Sequence, residues 1–224
     1  MAPSTEVRRP NGPKVAAHVR VAAFFLFSVV TAAGPVPASA TEAEERTLAS
    51  ELLIVRGDLD RLEMSLPPAH HAGLHQRIRG ALGVLPWLLK QAGDYAGAGA
   101  LEAWQDNPLD LPGDRARLAA LLSTLAERHP LALGQADTRL PPAVQREARA
   151  IHDAYCAGCH DGLGEGDPEL DLPARDLFGM GRTEPPKLFL ARLINGVKGD
   201  ETLGFLNPLT DRQLLALWIL YRTQ

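Results

Sequence analysis

The stretch Cys156-Ala157-Gly158-Cys159-His160 decides how this 224-residue chain is to be understood. Its two thiols lie three residues apart, and an imidazole follows the second thiol directly. The chain contains two cysteines in total, so both belong to this pentapeptide. Such a spacing occurs in three chemical settings, which are a thioredoxin-like redox pair, a structural zinc site and covalent attachment of c-type haem.

The sequence around the motif fits two of these settings poorly. A thioredoxin-like pair follows a strand within a βαβ unit, whereas a helical pattern leads into this motif. A structural zinc site needs four ligands, and the chain has no second cysteine pair. The sequence therefore predicts one covalently attached haem c, with thioethers at Cys156 and Cys159 and His160 as the proximal iron ligand.

Residues 1–40 have the order of an export signal. A basic leader precedes an apolar run at 21–33, and Ala38-Ser39-Ala40 supplies the small residues of a cleavage site. The apolar run is shorter than the ~20 residues that a membrane anchor needs. We therefore expect cleavage near Ala40, a periplasmic mature protein and no stable membrane insertion after cleavage.

The charge of the mature chain limits its partners. The full chain has 23 Lys and Arg against 27 Asp and Glu, and removing residues 1–40 leaves 19 against 26, a net charge of −7. This acid excess argues against nucleic acid or an anionic membrane as partner and favours a redox partner protein with a basic surface. The composition, 46% hydrophobic and 22% charged, is that of a globular protein.

Residues 41–130 have the pattern of an antiparallel helical bundle. Apolar residues recur every three or four positions from Thr41 to Leu66, and two prolines end this helix. A second helix is expected over 69–85, with Pro86 kinking it or starting a new one, and another from Gly113 to Arg128. The glycine-rich segment 95–100 predicts a helix end or a connection. Residues 131–140 lack periodicity and are expected to be a linker.

Three histidines at the start of the second helix, His70, His71 and His75, suggest a metal site, because the last two lie one helical turn apart. No cysteine or carboxylate at matching spacing completes the site, although acids of the preceding helix could approach. The pattern favours a solvated helix start over a metal centre.

Residues 141–224 resemble class I c-type cytochromes in the order of their elements. A helix opened by Pro141-Pro142 ends in the CxxCH motif, a central helix is expected at 185–197, and a last helix at 211–222 begins with a capping box of Thr210 and Gln213. The resemblance implies an all-α chain in which the bundle precedes a cytochrome c-like haem domain. It also implies that the last helix crosses the first one near Ala148 and His152, where the family more often has an aromatic residue. Because His152 lies one turn before Cys156 on the same helix, we expect it to pack and not to bind iron.

The resemblance further implies a backbone carbonyl that accepts a hydrogen bond from the other ring nitrogen of His160. In the family this carbonyl belongs to a proline roughly a dozen residues past the histidine; Pro173 matches that distance, and Pro168 is the second choice. Arg175 and Arg182 are available to the haem propionates.

The sixth iron ligand departs from the family pattern. Class I members take a methionine from the loop between the central and last helices, but residues 198–208 contain none. Met180, in the Phe178–Gly181 turn, is therefore the expected ligand. The alternative is that Met180 only packs against the porphyrin, while Phe205 and Leu206 close the distal side of a five-coordinate iron.

The expected function is that of a mono-haem c-type cytochrome that carries single electrons between redox partners and is not an enzyme. A thioether ligand saturates the iron and raises its reduction potential, which suits this role. An open iron would instead favour a ligand-binding sensor or an enzyme. A third alternative is an electron-relay subunit of a larger oxidoreductase complex.

Overall fold

The structure, a computed structural model, describes most of the chain beyond its first forty residues. The described residues are 41–133, 140–161, 169, 172–196 and 207–224. Within them every regular element is an α-helix, which confirms the all-α prediction. None of these helices is long and apolar enough to cross a membrane. The predicted signal segment lies outside the described residues, as do Pro168, Phe205, Leu206 and residues 134–139 of the predicted linker.

The first half of the described chain contains four helices. They are α1 (Glu42–Leu62), α2 (Pro68–Gln91), α3 (Tyr95–Glu102) and α4 (Pro112–Arg128). Helix α1 begins at a capping box, in which the side chains of Thr41 and Glu44 each accept a hydrogen bond from the other residue's backbone N–H. Helix α1 packs against α2 and α4, and α2 packs against α3. We call residues 42–128 the bundle.

Two local predictions for the bundle need correction. No new helix starts at Pro86, because α2 runs through this residue to Gln91. The glycine-rich segment is not a connection but α3, whose N–H at Gly97 is capped by the Asp94 side chain at 2.8 Å. Small residues are needed there, since a Cβ at Gly97 would lie 2.7 Å from a methyl carbon of Leu125 in α4. The glycine therefore permits close packing and does not break the helix.

The second half contains five helices within the described residues. They are α5 (Pro142–Tyr155), α6 (Ala157–His160), α7 (Leu177–Thr183), α8 (Pro186–Gly196) and α9 (Asp211–Thr223). Helix α9 packs against α5, α7 and α8. Its predicted capping box of Thr210 and Gln213 is present. The predicted turn at Phe178–Gly181 is instead part of α7, whose first turn is capped by the Asp176 side chain. We call residues 142–223 the CxxCH half.

The crossing of α5 and α9 has the composition predicted for it. Ala148 and His152 are both buried there. The His152 ring packs edge-on against Tyr221, and its Nδ1 lies 3.0 Å from the Tyr221 hydroxyl. His152 is therefore a packing residue that also satisfies a buried phenol.

The two halves have separate apolar cores but share one long contact. One core lies among α1–α4 and the other among α5, α7, α8 and α9. Helix α1 packs on α8, and a Cβ at Gly57 of α1 would lie 2.5 Å from a methyl carbon of Leu188. The described residues of both halves consequently belong to one compact unit.

Candidate functional site

A cavity of about 1300 Å³ lies where the CxxCH half meets α1 and α2. This volume is above the ~300–1,000 Å³ of typical pockets for drug-sized ligands, so a larger group is accommodated. The CxxCH half contributes Cys156, His160, Pro173, Arg175, Met180 and Phe189 to its lining, and the bundle contributes Ile54, Arg61, His70 and Arg77.

The motif places its side chains through the geometry of α5 and α6. Cys156 ends α5, its N–H donating to the carbonyl of His152 at 2.9 Å. The short helix α6 follows, in which the His160 N–H donates to the carbonyl of Cys156 at 3.0 Å. Cys156 and His160 therefore lie one helical turn apart and both line the cavity. Cys159 is exposed and outside the lining, and the two thiols are not joined in a disulfide.

The ring of His160 is oriented by one hydrogen bond. Its Nδ1 lies 2.7 Å from the carbonyl oxygen of Arg175. When Nδ1 donates to this carbonyl, the lone pair of the neutral imidazole is on Nε2, the nitrogen that is then available to a metal. The expected carbonyl of Pro173 is not the acceptor; Pro173 lines the same cavity two residues earlier. The number of residues after His160 therefore did not predict which backbone carbonyl of this segment accepts the hydrogen bond from its ring.

Met180 is buried in α7 and lines the cavity that His160 also lines. Its position depends on close packing between α7 and α9. A Cβ at the next residue, Gly181, would lie 2.7 Å from the backbone oxygen of Tyr221. Glycine at this position allows the two backbones to approach each other. Met64, the other internal methionine, is exposed and outside the lining.

A polar chain connects the Cys156 thiol to the surface. The Tyr221 hydroxyl hydrogen-bonds both Cys156 and His152, and His152 Nε2 lies 3.2 Å from the carboxylate of Asp161. Burial raises the pKa of the Cys156 thiol, while its hydrogen bond to Tyr221 acts in the opposite direction. Burial likewise raises the pKa of Tyr221. Both groups are therefore neutral at neutral pH. Sequence reasoning missed Tyr221, because no spacing pattern links it to the motif.

Arginines from four parts of the fold converge on the cavity lining. They are Arg61 in α1, Arg77 in α2, Arg192 in α8 and Arg175 in the segment before α7. Of the two predicted propionate partners, Arg175 therefore lines the cavity, whereas Arg182 is exposed and outside the lining.

Two carboxylates hold three of these arginines. Asp58, fully buried in α1, accepts from Arg77 Nε at 2.6 Å and from Arg192 at 2.9 Å. Glu184 accepts from Arg192 Nε at 2.9 Å and also pairs with Arg175. No sequence pattern predicts this network, because Arg77 and Arg192 reach Asp58 only through the packing of α1 on α2 and α8.

The three bundle histidines do not share one environment. His70 is buried and lines the cavity, so the solvated helix start predicted for it is wrong. The rings of His71 and His75 lie 4.9 Å apart, and burial together with the charge of His71 lowers the pKa of His75. Among the residues that the structure describes, no group of three His, Cys, Asp or Glu side chains is arranged to hold a metal ion.

The lining fits a haem in its chemistry. Cys156, His160 and Met180 supply a thiol, an imidazole and a thioether. Apolar side chains that are otherwise unusually exposed face the same cavity, with Val84 at 50%, Tyr155 at 78% and Leu172 at 43%. A large apolar ligand covers such surface. No protein-family model, curated protein or solved structure matches the chain.

Proposed function

We propose that the protein is a periplasmic mono-haem c-type cytochrome that passes single electrons between redox partner proteins. The observation that carries this proposal is the common cavity of Cys156, His160 and Met180, in a chain whose two cysteines form a CxxCH motif. Cys156 and Cys159 would hold the haem through thioethers, His160 would be the proximal ligand, and Met180 the sixth ligand. When bound, the haem supplies an iron that gains and loses one electron.

The hydrogen bond of His160 supports the proximal assignment. A metal-bound histidine commonly donates its second N–H to a carbonyl, which fixes the ring and makes the ligand more basic. His160 has this arrangement with Arg175. The prediction that the Pro173 carbonyl accepts this hydrogen bond is wrong, because the carbonyl belongs to Arg175. A backbone carbonyl still faces His160 Nδ1, as expected.

The burial of Met180 supports an electron carrier over a ligand-binding protein. A thioether on the iron leaves no open position and suits outer-sphere electron transfer. The second candidate, a sensor or enzyme with an open iron, gains support from His70, because a buried imidazole in the same cavity is a candidate general acid and base. The two functions differ in whether Met180 or an external ligand occupies the sixth coordination position of the iron.

The optical spectrum of the purified holoprotein tests the proposal. We expect a c-type spectrum in the reduced form, a near-infrared charge-transfer band from methionine ligation in the oxidised form, and no ready binding of carbon monoxide. Met180→Ala should lose the band and bind carbon monoxide. Met64→Ala is the matched control, since Met64 is exposed and outside the cavity lining. Wild-type protein that lacks the band and binds carbon monoxide readily would favour the sensor or enzyme.

The remaining alternative, a relay subunit of a larger complex, is tested by the state of the isolated protein. A stable monomer that exchanges electrons with small redox mediators argues for an independent carrier. Co-purification in fixed stoichiometry with an oxidoreductase would favour the relay subunit. The acidic surface expected of the mature chain predicts that association with a basic partner slows as salt is added.

A further inference from the structure

Arg61 is half-buried in the last turn of α1 and lines the cavity that Cys156, His160 and Met180 also line. It thus brings a permanent positive charge from the bundle to the candidate site. The charges of the lining are unequal in sign, since its charged side chains are four arginines and one glutamate, Glu51.

The other three lining arginines have carboxylate partners. Arg77 pairs with Asp58, Arg192 with Asp58 and Glu184, and Arg175 with Glu184. Within the part of the chain that the structure describes, no carboxylate lies within ion-pair distance of Arg61. Asp58, the acid whose charge acts on it, is already shared by two other arginines.

The surroundings of Arg61 disfavour its charge. Burial lowers the pKa of Arg61 to about 10, and the charges of Arg175, Arg192 and Arg77 act in the same direction, against Asp58. At neutral pH the guanidinium is still charged. A bound anion would relieve this repulsion, and carboxylate, like phosphate, has oxygens that match the guanidinium fork. Within a haem the anionic groups are the propionate carboxylates.

We propose that Arg61 binds a propionate carboxylate of the haem held by the CxxCH motif, so that the bundle completes the haem pocket. This inference rests on the proposed function, which supplies the haem. It assigns the bundle a direct role at the cofactor. A free dicarboxylate from solution has the same chemistry and is the competing source of the anion.

The test compares variants of the full-length holoprotein. Arg61→Gln should retain one covalent haem per chain, because the thioethers do not depend on Arg61. Its reduction midpoint should fall, since a nearby positive charge favours the ferrous form. We expect about a tenfold change in the ferric–ferrous equilibrium constant, equivalent to about 59 mV for a one-electron couple. Arg61→Lys should keep most of the wild-type midpoint. Arg79→Gln, an exposed arginine of α2 outside the lining, should leave it unchanged.

An unchanged midpoint in haem-loaded Arg61→Gln would overturn the inference and leave the proposed function standing. A wild-type midpoint that shifts with added succinate, while that of Arg61→Gln does not, would assign Arg61 to an exchangeable anion and also overturn it. If Arg61→Gln does not accumulate, the propionate bending band in the resonance Raman spectrum of Arg61→Lys is compared with that of the wild-type protein. A shift from wild type supports the contact, and an identical band contradicts it. Wild-type protein without covalent haem would instead overturn the proposed function.

Discussion

The bundle and the CxxCH half are both packed helices, but they differ in what faces their interiors. The bundle core consists of aliphatic side chains that fill the space among α1, α2, α3 and α4. The CxxCH half buries His152, Met180 and Tyr221 beside its apolar residues and borders the large cavity. The difference shows that, within the described residues, the thiol, thioether and phenol groups near the cavity come from the CxxCH half, while the bundle core is aliphatic.

Asp58 is a fully buried acid of the bundle, and its removal should have the largest effect on stability. It is fully buried, with no exposed side-chain area, and pairs with arginines of α2 and α8. Asp58→Ala should lower the free energy of unfolding by about 3 kcal/mol, because it removes the buried carboxylate of Arg77 and leaves Arg192 with Glu184 alone. Denaturant unfolding followed by circular dichroism measures this loss.

Asp60→Ala is the matched control on the same helix. Asp60 is 65% exposed and pairs with Arg56 one turn away, so its loss should cost about 1 kcal/mol or less. Equal unfolding midpoints for the two variants would show that the Asp58 pairs do not hold the bundle against the CxxCH half.

The α7–α9 contact of the CxxCH half gives the next largest effect. Gly181→Ala should destabilise the protein by about 1–3 kcal/mol, because its Cβ would collide with the backbone of Tyr221, which cannot rotate away. Thermal unfolding checks the value, and the near-infrared band reports whether Met180 is displaced.

In the bundle, the corresponding Gly83→Ala substitution should have the opposite effect on stability. A Cβ there meets nothing within 4 Å, and the residue is inside α2. Gly83→Ala should therefore stabilise the protein by about 0.5–1 kcal/mol through helix propensity. A Gly181→Ala variant that is stabilised as Gly83→Ala is would contradict the close approach of α7 and α9.

The pH dependence of stability that arises from Asp94 should be smaller than the effects of these substitutions. Burial opposes the charge of this carboxylate, but hydrogen bonds from His129 and Gly97 and the charge of Arg128 outweigh it, so the pKa of Asp94 lies below its ordinary value. The charged form stabilises the fold, so its contribution is present above about pH 4 and is lost as pH falls through the folded pKa.

Asp94→Asn separates this charge from the helix cap. Asparagine caps as well as aspartate does, so the variant should lose only the pH-dependent part of the stability. Urea unfolding between pH 3 and pH 7 measures both slopes. A wild-type slope that persists unchanged in the variant would assign the acid sensitivity to other carboxylates.

Local signals predicted the helices well, because caps and prolines act within a few residues. The capping box at Thr210 and Gln213 and the proline starts of α5 and α8 are examples. The contacts of the candidate site could not be predicted in this way. The carbonyl of Arg175, the burial of Asp58 and the approach of Arg61 all depend on how distant helices pack, and no sequence spacing encodes that packing.

The mass of the denatured mature protein tests the central claim most directly. One covalent haem at Cys156 and Cys159 predicts a mass that exceeds the processed chain by one haem, and Cys156→Ala with Cys159→Ala should remove this excess. A wild-type mass equal to that of the polypeptide alone, or an excess that survives in the double variant, would contradict the account.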